Sequence, residues 1–188
     1  ESSLYKIEES AFQNCSSLTR LNFPKSLNYI LDSAFLQCEN LETITFSDES
    51  LLESIGKSAF FKCIKLNEII IPQSVRYVGD EAFSNCVNLS KISFPIRFPG
   101  TRIGNNVLIN CKSLKEINIY LPDDRSIQKD ELIRLGLSEN LNYTDFVVNG
   151  QLWNQSITTS TTTGAPTTTG APTTTGAPTT TGAPTTTG

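Results

Sequence analysis

The chain has 188 residues, with 15 Lys and Arg against 19 Asp and Glu, a net charge of −4 and no histidine. Its cations are scattered without a run, which excludes the clustered basic face of a nucleic-acid binder, and no stretch approaches the roughly 18 apolar residues of a membrane span. Apolar residues stop near Trp153 and a low-complexity run follows, so the folding portion is about 150 residues.

Taken in order, Ser3-Leu4-Tyr5-Lys6-Ile7 matches the later Ser26-Leu27-Asn28-Tyr29-Ile30 and Ser74-Val75-Arg76-Tyr77-Val78. The first residues therefore read as the end of a coil, and with Met absent and no leader pattern the chain reads as an excised piece. Full coils run over 7–29, 30–54, 55–77 and 78–102, and a fifth starts at Ile103. Their cysteines, Cys15, Cys38, Cys63, Cys86 and Cys111, are spaced 23, 25, 23 and 25 apart. A fixed period of this size marks a solenoid, in which each unit buries its apolar face against its neighbours.

Within the third coil, IGKSAFFKCIKLNEIII, the residues Ala59, Phe60, Cys63 and Leu66 are apolar at i, i+1, i+4 and i+7, which predicts a short helix or helical turn. Leu66, Ile69 and Ile71 then follow the alternation of a strand. Pro24, Pro72 and Pro95 end these strands, because proline lacks a ladder donor.

The recurring pattern resembles leucine-rich repeats of the BspA-like (Treponema pallidum) type, whose repeat is close to IGxxAFxxCxxLxxIxIPxSVxxI. The resemblance covers residues 3–122; the fifth copy departs from it, with Val107-Leu108 in place of AF and Tyr120-Leu121 before Pro122. It implies an α/β repeat fold, a leucine-rich-repeat solenoid of about five coils of 23–25 residues. Members of that family look like surface proteins of oral bacteria and anaerobic parasitic protists that bind host matrix proteins or other cells.

Beyond 1–122, the segment 123–157 reads as a C-terminal cap and linker. Ile127, Leu132, Ile133 and Leu135 have helical spacing, Asp124 or Ser126 suits an N-cap, Gly136 an end, and Asp145–Asn149 a further strand. From 158 to 188 the TTTGAP repeats offer neither apolar bulk nor charge. They are expected to form a disordered Thr/Pro-rich stalk, of the composition that carries O-glycans.

No catalytic, cofactor or metal site is expected. Five cysteines cannot pair completely, all fill one inward position, and with no histidine the Cys-His and zinc readings lose their partner. A reduced core ladder follows. Gly56-Lys57-Ser58 resembles the end of a phosphate loop but has Leu51 where that loop needs its first Gly, so a turn glycine is the reading. Asp123-Asp124 and Asp130-Glu131 read as helix capping and a solvated face. Four glycosylation sequons begin at Asn14, Asn88, Asn142 and Asn154; the first two stand beside inward Cys15 and Leu89, which leaves Asn142 and Asn154 as the candidates.

Alternation places Arg20 and Asn22, Thr43 and Thr45, Glu68 and Ile70, Lys91 and Ser93, and Glu116 and Asn118 on the outward sheet face, with Tyr120 at its end. Such a face lacks deep pockets and suits a macromolecular ligand, with Arg20, Ile70 and Tyr120 as anchors. The sequence thus points to a non-enzymatic, extracellular recognition or adhesion module at the cell surface. Its ligand would be a protein or glycan on host matrix or another cell, and the sequence leaves room for a membrane anchor beyond its C-terminus. The alternative is a structural spacer or decoy coat without a specific ligand.

Overall fold

A computed structural model describes residues 3–94, 101–119, 133–137, 145–148 and 151–152. Each coil contributes a two-residue strand and then a longer one. These are β1 (Lys6–Ile7) and β2 (Arg20–Phe23), β3 (Tyr29–Ile30) and β4 (Thr43–Phe46), and β5 (Ser54–Ile55) and β6 (Glu68–Ile70). They continue with β7 (Tyr77–Val78) and β8 (Lys91–Phe94), then β9 (Arg102–Ile103) and β10 (Glu116–Ile119). The short strands form a narrow parallel sheet in the order β1-β3-β5-β7-β9. The longer strands form a broad sheet that β11 (Asp145–Val148) and β12 (Gln151–Leu152) extend, in the order β12-β11-β10-β8-β6-β4-β2.

Stacking is parallel and in register, so equivalent residues of successive coils lie about 4.8 Å apart. This spacing overturns the helical expectation for the AFxxC segments. A helix is roughly 10 Å wide and spends its N–H groups on itself, so helices cannot stack coil on coil at that separation. The segments instead form consecutive turns, in which Ser58 and Lys62 take φ of 53° and 58°. Every second N–H is left for the neighbour: Ser58, Phe60 and Lys62 donate to the carbonyls of Asp80, Ala82 and Ser84 at 2.9, 2.8 and 3.0 Å. The alternate ones close turns, Ala59 to Gly56, Phe61 to Ser58 and Cys63 to Phe60.

The core between the two sheets is built as ladders. Phe12, Phe35, Phe60 and Phe83 stack with ring centroids 5.2, 5.2 and 5.4 Å apart and planes within 3° of parallel. Beside them the cysteines are free thiols, four of them buried and Cys15 half-buried. Cys38, Cys63, Cys86 and Cys111 each place Sγ 3.1–3.4 Å from the carbonyl of Phe12, Phe35, Phe60 and Phe83 in the preceding coil. The carbonyl of Phe60 thus accepts twice, from the Cys63 N–H of its own coil and from the Cys86 thiol of the next. A thiol is small and apolar enough for this site yet satisfies a buried lone pair.

The glycine reading also changes. Gly79 does not have positive φ; a Cβ there would lie 2.4 Å from the Lys57 backbone nitrogen of the coil before. Close coil-to-coil approach, rather than turn geometry, excludes a side chain. Past the fifth coil, Asn106 and Leu108 donate to the carbonyls of Arg134 and Leu135 at 2.7 and 2.8 Å, while β10 pairs in parallel with β11. Residues 133–137 and β11 therefore take the places of a sixth coil's turn and strand. Among the described residues only 133–134 are helical. Gly136, at φ 85°, follows them and donates its N–H to the Ile133 carbonyl at 2.9 Å.

Candidate binding face

The broad sheet shows two outward rows. The first runs Arg20, Thr43, Glu68, Lys91 and Glu116, and the second Asn22, Thr45, Ile70, Ser93 and Asn118, each residue in register with the next where the ladders extend. Their exposure is uneven. Arg20, Asn22, Thr43, Thr45, Glu68 and Ile70 are exposed, whereas Lys91, Glu116 and Asn118 are half-buried. Ser93 is a correction: it is on the outward side by register but only 5% exposed. It lies between Ile70 and Asn118, and Asn118 Nδ2 donates to its Oγ at 3.4 Å. Tyr120, Asn142 and Asn154 lie outside the described residues, as do the Asp123-Asp124 and Asp130-Glu131 pairs.

Fixed ion pairing separates the two ends of the face. At the C-terminal end Lys91 Nζ is 2.8 Å from Glu116 Oε1, and Asn118 Nδ2 donates to the same carboxylate oxygen at 2.8 Å. The Lys91 hydrogen bond, helped by Asn118, holds the Glu116 carboxyl below the usual carboxylate range.

At the N-terminal end the face is not flat. Coil two has four residues, Ser47 to Ser50, between Phe46 and the return, where coil three has only Pro72 and Gln73 after the equivalent Ile71. Coil one is shorter than coil two by the same two residues and still keeps its ladder, so the length difference alone does not break the register. The β4–β6 ladder holds at Thr43↔Glu68 alone, against four register pairs in β2–β4. Beyond it opens a groove of about 760 Å³, with Ile44, Phe46 and Ile70 among its lining. Ile70 is 65% exposed, the most exposed of the large apolar residues described. Glu42, Asp48 and Glu68 bring three carboxylates to the groove against the single cation of Lys65, 3.9 Å from Glu42. The shallow, pocketless face expected from the repeat is thus interrupted between coils two and three.

The sequence reading missed the narrow sheet. Its outward row is Lys6, Tyr29, Ser54, Tyr77 and Arg102. Tyr5 and Tyr77 are 54% and 42% exposed, and Tyr5 packs edge-on against Tyr29 with centroids 5.4 Å apart. Tyr29 donates its hydroxyl to Glu53 Oε2 at 2.9 Å; hydrogen bonding with Tyr5 and then Glu53 pushes its pKa up to about 12. The signal is in the sequence, since Tyr29 and Tyr77 each stand just before an inward Ile or Val. Asn14 and Asn88, set aside as packed, have exposed side chains although their N–H groups bond to adjacent coils. Among the described residues no group of three or more acids or cysteines is placed to hold a metal, and no helix is long and apolar enough to cross a membrane.

Residues 1–115 match the family model described as BspA type Leucine rich repeat region, in six copies. The chain belongs to the BspA-type leucine-rich repeat family. Two solved structures resemble its BspA-type solenoid. A leucine-rich repeat protein from Bacteroides ovatus ATCC 8483 shares 25% identity at a TM-score of 0.55 over 78% of this chain and 36% of that one. A leucine rich cell surface protein from Faecalibacterium prausnitzii A2-165 shares 28% identity at a TM-score of 0.57 over 75% and 35%. The chain spans about a third of the length of these two structures. No curated protein matches it.

Proposed function

We propose that this chain is a non-enzymatic recognition module of the cell surface, which binds macromolecules of host matrix or of other cells through the N-terminal half of its broad sheet. One observation carries the reading: the groove between coils two and three opens beside Ile70, an exposed apolar residue on an otherwise polar face. A protein ligand that seats an apolar side chain there and brings basic residues to Glu42, Asp48 and Glu68 would match its shape and charge. The family membership and the cell-surface relative support an extracellular setting. The Thr-rich segment 158–188 would serve as the stalk that raises the module.

The test is binding of the full chain to immobilised matrix proteins and to cells, compared with an Ile70→Asp/Glu68→Lys variant whose thermal midpoint is unchanged. Saturable binding that weakens tenfold or more in the variant supports the reading, as expected for loss of about 1.4 kcal/mol or more at a hot spot. Binding that is absent, or indifferent to both substitutions, overturns it.

A further inference from the structure

The narrow sheet carries a second surface of opposite electrostatic character. Its charges at the N-terminal end are engaged: Lys6 pairs with Glu8 at 2.9 Å, and Glu53 accepts from Tyr29. At the C-terminal end they are not. Arg76 and Arg102 are both exposed, and neither has an ion-pair partner among the described residues. They belong to adjacent coils whose backbones are directly joined, with the Arg102 N–H donating to the Arg76 carbonyl at 2.8 Å. Tyr77, 42% exposed, follows Arg76 in the chain and is in register with Arg102.

Two guanidinium groups one coil apart repel each other, and in a chain of net charge −4 carboxylates to neutralise them are plentiful. Two exposed guanidiniums without an ion pair among the described residues, beside an exposed phenol ring, favour an anionic ligand with a flat apolar face. We propose that Arg76, Tyr77 and Arg102 form a binding site for a sulfated or carboxylated polysaccharide. A pyranose ring lies over the Tyr77 ring, and its acidic groups take charge-assisted hydrogen bonds from the two guanidinium forks. The coil spacing of about 4.8 Å approximates the length of one sugar ring, so successive acidic groups meet successive coils. An acidic peptide fits less well. The strands here are two residues long, and β9, at the end of the described sheet, offers an edge too short for an extended peptide to join.

The site shares no residue with the broad-sheet groove, so either can fail without the other. The experiment is affinity of the full chain for heparin, for desulfated heparin and for a tyrosine-sulfated acidic peptide, across graded salt. Saturable heparin binding that falls steeply with salt, weakens about tenfold or more in Arg76→Ala/Arg102→Ala and severalfold in Tyr77→Ala, and stays near wild type in Tyr77→Phe is expected. Ile70→Asp should leave it unchanged, and circular dichroism should show each variant folded. No heparin binding, an equal loss in Lys112→Ala/Lys115→Ala, or tighter capture of the peptide than of heparin would overturn the proposal.

Discussion

Coil three and coil one carry the same fixed residues of the repeat, yet their shared positions contribute differently. Phe60 is fully buried between Phe35 and Phe83, while Phe12 stacks on Phe35 alone and is 42% exposed. Cys63 is buried with its thiol on a carbonyl, and Cys15 is half-buried. In a solenoid each coil's stability comes largely from its interfaces, so a residue with two neighbouring copies is worth more than the same residue with one. Repeat position sets what a residue does; place along the stack sets how much it matters.

The largest expected effect tests the buried thiols of the inner stack together. Burial pushes the Cys38 thiol up to about 11 and Cys111 to about 12, and raises Cys63 and Cys86 as well, chiefly because a thiolate in the core would be desolvated. A pKa raised in the folded state contributes stability that is fully present below the unfolded value near 9 and is lost as pH climbs through the window to about 11. Between pH 9 and 10 each such thiol should remove up to about 1.4 kcal/mol, so four approach 5 kcal/mol. Urea midpoints should fall steeply over that interval. A flat profile would mean that the thiols are not sealed in.

Next in size is the pair of phenylalanines. Phe60→Ala should cost about 3–5 kcal/mol and Phe12→Ala less than half of that, since one of its faces is already bare. Chemical unfolding of the full chain measures both, and equal losses would break the nearest-neighbour account. A smaller contrast sharpens it at the glycine position. Gly79→Ala must force apart two backbones and should cost about 1–3 kcal/mol, whereas Glu8→Ala, at the same place in coil one, should stay within about 0.5 kcal/mol.

Those contrasts separate what the sequence encoded openly from what it did not. The coil period, the inward Phe and Cys ladders and the strand alternation were legible because each recurs in register at 23 or 25 residues. The turn conformation was not. Ala59, Phe60, Cys63 and Leu66 suit one face of a helix equally well, and the left-handed φ shared by these positions shows in residue type only where Asn fills them, at Asn14, Asn85, Asn106 and Asn110. Gly79 was legible as a glycine, but its reason is in the coil before it, 22 residues upstream at Lys57. The groove was half-written in the 23/25 alternation, since the extra residues follow Phe46, but a length difference does not state which ladder yields. Ser93 and Ile70 alternate alike along their strands; only packing leaves one at 5% exposure and the other at 65%.

The smallest expected effect concerns the two ends of the broad face. Lys91 and Glu116 leave about a third of their side-chain surface exposed, so solvent and salt screen the pair, and Lys91→Ala should cost only about 0.2–1 kcal/mol. Its pH dependence is more telling than its size. The Glu116 carboxyl is held down by Lys91, so its contribution is present above the ordinary carboxylate range and fades as pH falls through the lowered folded value. The difference between wild type and Lys91→Ala should therefore be measurable at pH 7 in low salt, shrink toward zero in acid, and shrink again in high salt at neutral pH. At the other end of the same row Arg20 is exposed and stands in register with Thr43 rather than an acid. Arg20→Ala should leave the unfolding midpoint unchanged at every pH, so that any loss of ligand binding it causes reports on contact rather than on folding. A stability loss at Arg20 equal to that at Lys91 would remove the distinction between a structural end of the face and a free one.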